Sequence, residues 1–355
     1  MNALFITYNT ANTASCRFRS YQPAKALQKI GVNAKVQLIY QLTKKDIDSS
    51  DIVIFQRIPQ AIWYFQKLHL PTLWIRNKIE TLFQYSIQKK MTGIDLDDYI
   101  FMEGSGIQTG VPDRVFSNLL KTAHFITAST PILASHLKYH NPKTYVVRNA
   151  LDFTQYESTQ LSLYLSMVVN QIKKWKKEGF AILGWVCGHH HQGDFPLFYE
   201  ILEALDPSQR ARMRIILVGF NIGTQAKYKN MILKTQLIHW RELHHLIQQF
   251  DINLIPLQDT ILNQCKSELK LIEAGFWSVP SVVSNVGEYQ NLLLGETCGA
   301  LSHTAKNFAD KIVRLMSHQE LRTSVGKNAR NLTLRHYNLE TRAKEYHDLF
   351  KTLFS

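Results

Sequence analysis

The sequence predicts an α/β protein built from two doubly wound, Rossmann-like domains in tandem, facing each other across a cleft. Three observations predict this fold class. Short apolar runs, typical of buried parallel strands, alternate with helical patterns along the chain. The alternation occurs in two series, which a lysine-rich stretch separates. The 355 residues are also enough for two cores of ordinary size.

The two series define the predicted domains. The first domain covers residues 1–155 and is completed by a C-terminal helix at about residues 338–355. The second domain covers residues 179–337, and residues 156–178 are predicted to link the two. Strand-end loops and helix N-termini converge at the carboxyl edge of a parallel sheet. We therefore expect ligands at that edge of each domain.

The first series begins with a buried strand, because a short apolar run follows a start that lacks the basic region of a secretion signal. Gly31 is expected to end the first helix. The predicted strands are Asn2–Tyr8, Val32–Ile39, Asp51–Phe55, Ala123–Ala128 and Thr144–Val147, and the predicted helices are Ser20–Ile30 and Pro131–Tyr139.

The second series follows the same pattern, with apolar runs bounded by Gly, Pro or Asp. Its predicted strands are Ala181–Cys187, Met213–Val218, Asp251–Pro256 and Ser281–Ser284. Its predicted helices are Pro196–Leu205, Arg241–Phe250, Ser267–Phe276, Ala305–Ser317 and Leu321–His336, followed by a terminal helix after Tyr337.

The predicted linker contains an amphipathic stretch, Leu161–Ile172, followed by a lysine cluster around Trp175. Two interpretations of this cluster remain open. The lysines can form an ordinary solvated helix face, or Trp175 and its neighbours can contact a membrane surface.

Composition restricts the partners. The net charge is +13, from 41 basic and 28 acidic residues, which favours phosphate-bearing partners. The basic residues are spread along the chain without an aromatic RNA-binding signature, so we expect no nucleic-acid partner. A membrane surface or a lipid phosphate fits better.

The cysteines Cys16, Cys187, Cys265 and Cys298 are far apart in sequence. Such spacing predicts neither a disulfide framework nor a zinc site and favours a reducing cytoplasm. The tract of three histidines ending at His191 lacks further ligands at metal-binding spacing, so no metal or other cofactor is expected. No apolar stretch is long enough to span a bilayer. We therefore expect a cytoplasmic protein, and the positive charge adds peripheral contact with a membrane surface as a further possibility.

The segment from Lys266 to Glu273 is the strongest candidate binding site. Ser267 is a suitable N-cap, and Lys266 and Lys270 add positive charge beside the amides of the first helical turn. A phosphate near the helix start and a ribose near Glu273 would suit this surface. The alternative is an ordinary helix with a Lys–Glu pair three residues apart.

This segment resembles the retaining GT-B glycosyltransferases that carry two glutamates separated by seven residues. Many bacterial polysaccharide members carry a variant of the form Lys-Ser-x-x-Lys-x-x-Glu, followed by a Gly and a Val-Pro-x-Val strand. In this sequence Lys266, Ser267, Lys270 and Glu273 fit that form. The resemblance implies that Glu273 binds the ribose of a sugar-nucleotide and that the other three lie by the diphosphate or the sugar. Cys265 occupies the position of the first glutamate.

Weaker similarities extend over about 300 residues. Arg17 and Arg19 resemble the family's first loop, where an arginine faces the acceptor side of the cleft. Gly188, His191 and Asp194 are similar to the first loop of the second domain, which often shows His-x-x-Asp. The resemblance thus implies that Gly188 and His191 contact the donor. The usual Arg…Lys pair for the diphosphate is absent, and His191, Lys266 and Lys270 are its available substitutes.

A carboxylate cluster lies between Gly93 and Tyr99 and resembles an Asp-x-Asp-Asp segment of the same subgroup. Asp95 and Asp97 are the candidates for orienting or deprotonating an acceptor hydroxyl. A metal-binding Asp-x-Asp, a phosphatase nucleophile and a solvated loop are the alternatives. The glycine-rich loop that follows is expected to be mobile and to lie on the acceptor side, with Glu103 as a reserve candidate.

The resemblance implies transfer of a sugar from a nucleotide-diphosphate donor to a hydroxyl of a glycan or lipid-linked glycan, with retention and without a metal. Lys270 and His191 would stabilise the negative charge of the leaving diphosphate. A catalytically inactive nucleotide-binding or scaffold protein of the same fold is the alternative, supported by Cys265 and the absent Arg…Lys pair. A basic nucleic-acid-binding protein is a third possibility.

Overall fold

The computed structural model describes residues 1–58, 72–100, 113–156, 160–186, 188–219, 225–293, 295 and 297–355. The predictions for Glu103 and the glycine-rich loop after it lie outside these residues, as does Cys187.

The contacts of the chain divide it into two compact units. The first contains Met1–Leu151, Gln264–Ser267 and Tyr337–Ser355, and the second contains Asp152–Asn263 and Glu268–His336. The first unit is therefore assembled from three separate pieces of sequence.

Parallel strands form the centre of each unit. In the first unit they run in the order β2-β1-β3-β4-β5-β6. In the second unit the order is β12-β11-β10-β7-β8-β9. The strands are β1 (Asn2–Thr7), β2 (Asn33–Leu38), β3 (Ile52–Gln56), β4 (Met91–Leu96), β5 (Phe125–Ala128), β6 (Thr144–Val146), β7 (Ala181–Val186), β8 (Met213–Val218), β9 (Ile232–Thr235), β10 (Ile252–Ile255), β11 (Ser281–Ser284) and β12 (Ala300–Ser302).

Helices connect these strands, as parallel pairing requires. In chain order they are α1 (Ala14–Cys16), α2 (Gln22–Lys29), α3 (Lys44–Asp48), α4 (Thr72–Lys89), α5 (Asp113–Thr122), α6 (Pro131–Lys138), α7 (Leu163–Lys177), α8 (Phe195–Glu203), α9 (Pro207–Arg210), α10 (Trp240–Ile247), α11 (Ile261–Gln264), α12 (Leu269–Phe276), α13 (Tyr289–Leu292), α14 (Ala305–Ser317), α15 (Gln319–His336) and α16 (Leu339–Phe354). A π-helical segment, Arg17–Tyr21, joins α1 to α2, and a 3₁₀ helix, His189–Asp194, precedes α8.

The core of the first unit lies where β1, β3 and α2 meet the last helix of the chain. Phe5 on β1 and Tyr346 on α16 are both buried, and their rings meet edge to face with centroids 5.6 Å apart. Phe350 fills the same core one turn later. The C-terminal helix is thus part of the first unit's interior.

The predicted α/β class and its parallel sheets are confirmed. Gly31 has φ +83° at the end of α2, the left-handed conformation expected of a glycine after a helix. The predicted strands do not include β4, which lies inside the first sheet, or β9 and β12, which are short strands at the two edges of the second sheet.

The segment predicted as a linker differs from expectation. Most of it is α7, whose inner face buries Leu165, Val168 and Ile172 in the core of the second unit. Trp175 is only half-buried and lies near Arg214, whose guanidinium is 5.8 Å from the indole ring. Trp175 therefore packs in part against the second unit, and its contact with a membrane surface stays a prediction.

Candidate functional site

His191 lies in the 3₁₀ helix that follows β7, at the carboxyl end of a central strand. Gly188 begins this turn, and a Cβ added there would meet no atom within 4 Å. The backbone at Gly188 therefore borders open space, which leaves room for a ligand. Its predicted contact with a donor remains a prediction.

The His-x-x-Asp pattern forms a buried pair. His191 Nδ1 and Asp194 Oδ2 are 2.7 Å apart. The other carboxylate oxygen of Asp194 accepts hydrogen bonds from the Gln258 backbone N–H and from Asn263 Nδ2, both at 2.8 Å. Since a carboxylate only accepts hydrogen bonds, His191 donates through Nδ1, and its orientation is fixed by Asp194.

Lys270 completes this arrangement from the first turn of α12. Its Nζ lies 2.9 Å from His191 Nε2. With the imidazole proton on Nδ1, Nε2 accepts a hydrogen bond from the Lys270 ammonium. The three side chains thus form a chain from Lys270 through His191 to Asp194, which we call the Lys–His–Asp relay. It places a cationic group at the carboxyl edge of the second sheet.

The backbone around Lys270 is held from two sides. On β10, Asn253 donates through Nδ2 to the Lys270 carbonyl at 3.3 Å and to Ser281 Oγ at 2.9 Å. A Cβ added to Gly275 would lie 3.0 Å from the Ala329 carbonyl oxygen, so α12 packs closely on α15 at this point. Lys270 therefore stands on a fixed helix and not on a free loop.

The predicted helix start is wrong by two residues. The helix begins at Leu269, with Glu268 as its N-cap, so Ser267 does not cap it. Instead Ser267 Oγ accepts a hydrogen bond from Asn149 Nδ2 at 2.9 Å, and the Cys265 carbonyl accepts one from Thr130 Oγ1 at 3.1 Å. The segment Gln264–Ser267, which includes the half-buried Lys266, belongs by its contacts to the first unit.

Glu273 lies one turn beyond Lys270 and is half-buried. Burial raises the pKa of Tyr289 well above its ordinary value, and the Glu268 and Glu273 carboxylates raise it further. Both carboxylates are thus within electrostatic reach of Tyr289.

Arg19 and Asp95 do not have the acceptor-side positions predicted for them. Asp95 is a fully buried residue of β4, and its two oxygens accept from Arg19 Nε at 3.0 Å and Nη2 at 2.7 Å. Thr127 Oγ1 donates to the same carboxylate at 2.7 Å. Arg19 Nη1 also donates to the Val147 carbonyl at 2.7 Å. Because every oxygen of Asp95 is engaged inside the unit, this pair holds the fold together and is not placed to meet an acceptor.

Arg17 is likewise buried. Its Nη1 donates to the Ala11 carbonyl at 2.9 Å, and its guanidinium lies 4.8 Å from the Phe18 ring centroid. The structure therefore assigns Arg17 to the packing of the first loop, where the sequence placed it on the acceptor side.

Asp97 forms part of a charged cluster that the sequence reasoning missed in part. Arg57 follows β3 directly, and its guanidinium forms ion pairs with Asp97 and with Asp98, just after β4. Burial opposes the charge of Arg57, but the two carboxylates raise its pKa well above the ordinary value. Burial also raises the pKa of Asp97, against the lowering effect of Arg57.

Arg57 has φ +45°, an unusual conformation for a residue with a side chain. The sequence did contain a signal for the Arg57–Asp97 pair. Each of these charged residues directly follows an apolar strand, and the two strands are neighbours in the sheet.

Across the described residues, no group of three or more His, Cys, Asp or Glu side chains is arranged to hold a metal ion. None of the helices described is both long and apolar enough to cross a membrane.

Comparison with known proteins finds similarity to glycosyltransferases. Residues 199–348, fewer than half of the chain, match the profile of the "Glycosyl transferase-like" family. Among curated proteins, none matches the sequence. The matched span includes α12 and Lys270, and it ends within α16.

Three solved structures have a similar fold over nearly the whole chain. HepE from Anabaena, in complex with UDP and glucose, is 13% identical with a TM-score of 0.69 and covers 99% of this chain and 100% of its own. Sucrose-phosphate synthase from Thermosynechococcus elongatus is 13% identical with a TM-score of 0.67, covering 99% of each. WaaG, a glycosyltransferase involved in lipopolysaccharide biosynthesis, is 13% identical with a TM-score of 0.59, covering 98% of this chain and 99% of its own. The predicted GT-B type of fold, with two Rossmann-like units, is confirmed.

Proposed function

We propose that this protein transfers a sugar from a nucleoside-diphosphate donor to a hydroxyl of a glycan or lipid-linked glycan. The observation that carries the proposal is the Lys–His–Asp relay, which holds a lysine ammonium at the carboxyl edge of the second sheet. The family match to residues 199–348 and the fold shared with HepE, which was crystallised with UDP-glucose, support the same conclusion.

The chemistry follows from charge. When the sugar leaves its nucleotide, negative charge develops on the diphosphate, and a preorganised cation stabilises it. A lysine ammonium has three N–H donors, and in Lys270 one is directed to His191. The others suit the oxygens of a diphosphate. We further propose that Glu273, one turn along α12, binds the ribose hydroxyls, and that Lys266 and Ser267 contribute to the donor site.

The proposed stereochemistry, metal independence, acceptor residues and location are based on the resemblance to the glycosyltransferase family. We propose retention of the anomeric configuration and catalysis without a metal, because Lys270 supplies the positive charge that a metal would otherwise provide. On the acceptor side, Asp97 and Glu103 remain candidates. The proposed location is the cytoplasm, at the inner membrane face where lipid-linked acceptors would be met.

Donor binding is the first test. A ligand that binds only the folded protein raises the unfolding temperature by mass action. We expect UDP-glucose or another sugar-nucleotide of a panel to raise it more than the same concentration of inorganic phosphate. If none of the sugar-nucleotides or free nucleotides does so, the proposed donor site is wrong.

Turnover is the second test. Lys270→Ala and Glu273→Ala should each slow sugar transfer at least about tenfold, since a charge-assisted hydrogen bond contributes roughly 1.5–3 kcal/mol. Lys327→Ala, which removes an exposed lysine from α15 of the same unit, is the matched control and should leave transfer unchanged. Normal turnover of both site variants at saturating donor would refute the assignment. Transfer that persists in the presence of a chelator would support metal independence.

A catalytically inactive nucleotide-binding protein is the second candidate. It is favoured by Cys265, which is buried at the position where the resemblance expects a glutamate. Burial and the nearby Asp98 raise the pKa of this thiol to about 12, so Cys265 carries no negative charge at neutral pH. A protein that binds UDP-glucose but releases no UDP, with or without glycan acceptors, would establish this alternative.

A further inference from the structure

The outward face of α7 combines exposed apolar side chains with lysines. Leu163 is 81% exposed and Met167 is 65% exposed, which is unusual for large apolar residues. One turn is about 3.6 residues, so these two residues and Lys174 fall on one stripe of the helix, opposite the buried Leu165 and Ile172. The helix therefore presents an apolar end and a basic end along the same outward stripe.

A neighbouring loop extends the apolar end. The Tyr164 hydroxyl accepts a hydrogen bond from the Gln236 backbone N–H at 3.4 Å, and Tyr164 is itself 44% exposed. The next residue, Leu237, is 78% exposed. Four exposed large apolar side chains thus occur on two segments of the second unit that this hydrogen bond joins. We call Leu163, Tyr164, Met167 and Leu237 the apolar patch.

The charges on the helix itself have one sign, while Glu242 lies beside its first turn and accepts a hydrogen bond from the Ser162 backbone N–H. Residues 161–177 contain four lysines and no Asp or Glu. Lys173, Lys174 and Lys177 are exposed, and Lys174 Nζ lies 4.0 Å from a carboxylate oxygen of Glu178, which is exposed at the end of the helix. Arg241 and Lys234 are exposed close to Leu237 in sequence. An apolar end followed by a basic band complements a surface whose interior is apolar and whose headgroups are anionic.

We propose that the apolar patch and the lysines of α7 form the docking surface of this protein on an anionic lipid bilayer. The patch would enter the boundary between headgroups and acyl chains. Lys174 and Lys177, about 16 and 21 Å further along the helix axis, would remain at the level of the headgroups. The inference deepens the proposed lipid-linked acceptor by naming the surface that meets the lipid, and its test does not depend on sugar transfer.

The first measurement is co-sedimentation of the full chain with vesicles. We compare vesicles of pure phosphatidylcholine with vesicles that contain about 30% phosphatidylglycerol. Binding should be stronger to the anionic vesicles, since each lysine near such a surface contributes about a fivefold change in partitioning. It should fall when salt rises to about 1 M, where charges are screened within about 3 Å. A protein that shows no preference for anionic vesicles would overturn the proposal.

The variant Leu163→Glu/Met167→Glu tests the apolar patch. We expect at least a tenfold loss of vesicle binding, because burial of each such side chain is worth about tenfold or more. Tyr139→Glu is the matched control, since Tyr139 is an 86% exposed apolar residue of the first unit. An equal loss in this control would overturn the proposal. The same holds if the wild type forms dimers that the double variant abolishes, because the patch would then bind a second copy of the chain.

Activity separates this inference from the proposed function. The double variant should retain the wild-type rate of transfer from a sugar-nucleotide to water or to a soluble acceptor, because neither residue belongs to the relay. Conversely, Lys270→Ala should lose transfer while it binds anionic vesicles as the wild type does. Failure of the first proposal therefore leaves the second standing, and the reverse also holds.

Discussion

The relay makes a specific prediction for Asp194→Asn. In the wild type, the Asp194 carboxylate accepts hydrogen bonds from His191 Nδ1 at 2.7 Å and from the Gln258 amide and Asn263 Nδ2, both at 2.8 Å. An asparagine has one acceptor oxygen and one NH₂ group. If its oxygen stays with Gln258 and Asn263, its NH₂ faces His191 and requires Nδ1 to lose its proton. The proton then moves to Nε2, which faces the Lys270 ammonium.

Two donors would then oppose each other where Lys270 now donates to His191 at 2.9 Å. The opposite orientation of the asparagine is no better, because its NH₂ would meet the Gln258 and Asn263 donors. A lost hydrogen bond to a charged group is worth roughly 1.5–3 kcal/mol, which corresponds to about 10- to 150-fold in rate. We expect a fall of this size in the rate of transfer, with kcat affected as well as KM for the donor.

The assay is the initial rate of nucleoside-diphosphate release from the sugar-nucleotide that binding identifies as the donor, at a temperature well below the unfolding midpoint of the variant. Asp310→Asn is the matched control, since Asp310 is an exposed carboxylate paired with Lys306 in the same unit. The control should retain the wild-type rate. If the folded Asp194→Asn protein turns over at the wild-type rate, the relay does not position Lys270, and the reasoning fails.

Two further predictions concern stability. His244 is buried against Trp277, with ring centroids 5.6 Å apart, and burial lowers its pKa from 6.5 to about 4. The unfolded state then binds more protons, so the contribution of His244 to the free energy of unfolding should decrease as pH falls from 6.5 to about 4, measured by urea titrations. His244→Phe should flatten this dependence, and an unchanged slope would contradict it. Asp95→Asn should lower the free energy of unfolding by about 3–5 kcal/mol, because Arg19 would remain buried without an opposite charge. A loss no larger than that of Asp310→Asn would contradict the structural role of the pair.

Regular elements were predictable where local pattern and burial agree. Met213–Val218 and Ser281–Ser284 are strands with the predicted bounds, because each is a short, mainly buried run with an apolar centre. The contact between His191 and Asp194 could also be predicted from the sequence, since residues three apart on one helical turn face each other. Edge strands such as Ile232–Thr235 are short and only partly buried, so they leave a weak pattern.

The contacts of the site between residues far apart in the chain could not be predicted from the sequence. Lys270 and His191 are 79 residues apart, and only the order of β7 and β10 in the sheet brings their loops together. Arg19 and Asp95, 76 residues apart, both looked like polar residues available to a ligand. The ion pair between them forms because of the order of the strands in the sheet, so the residues adjacent to each in the sequence do not predict it.

The first unit takes its last helix from the end of the chain, and this has a consequence for biosynthesis. Tyr346 and Phe350 fill the interior beside Phe5, so a ribosome that has made only the first 151 residues has produced a sheet with one flank of its core open. The second unit, which ends at His336, has all of its residues earlier. Synthesis should therefore yield a folded second unit before the first, so the N-terminal strands wait longest for their partner and are the part most exposed to aggregation or to chaperones.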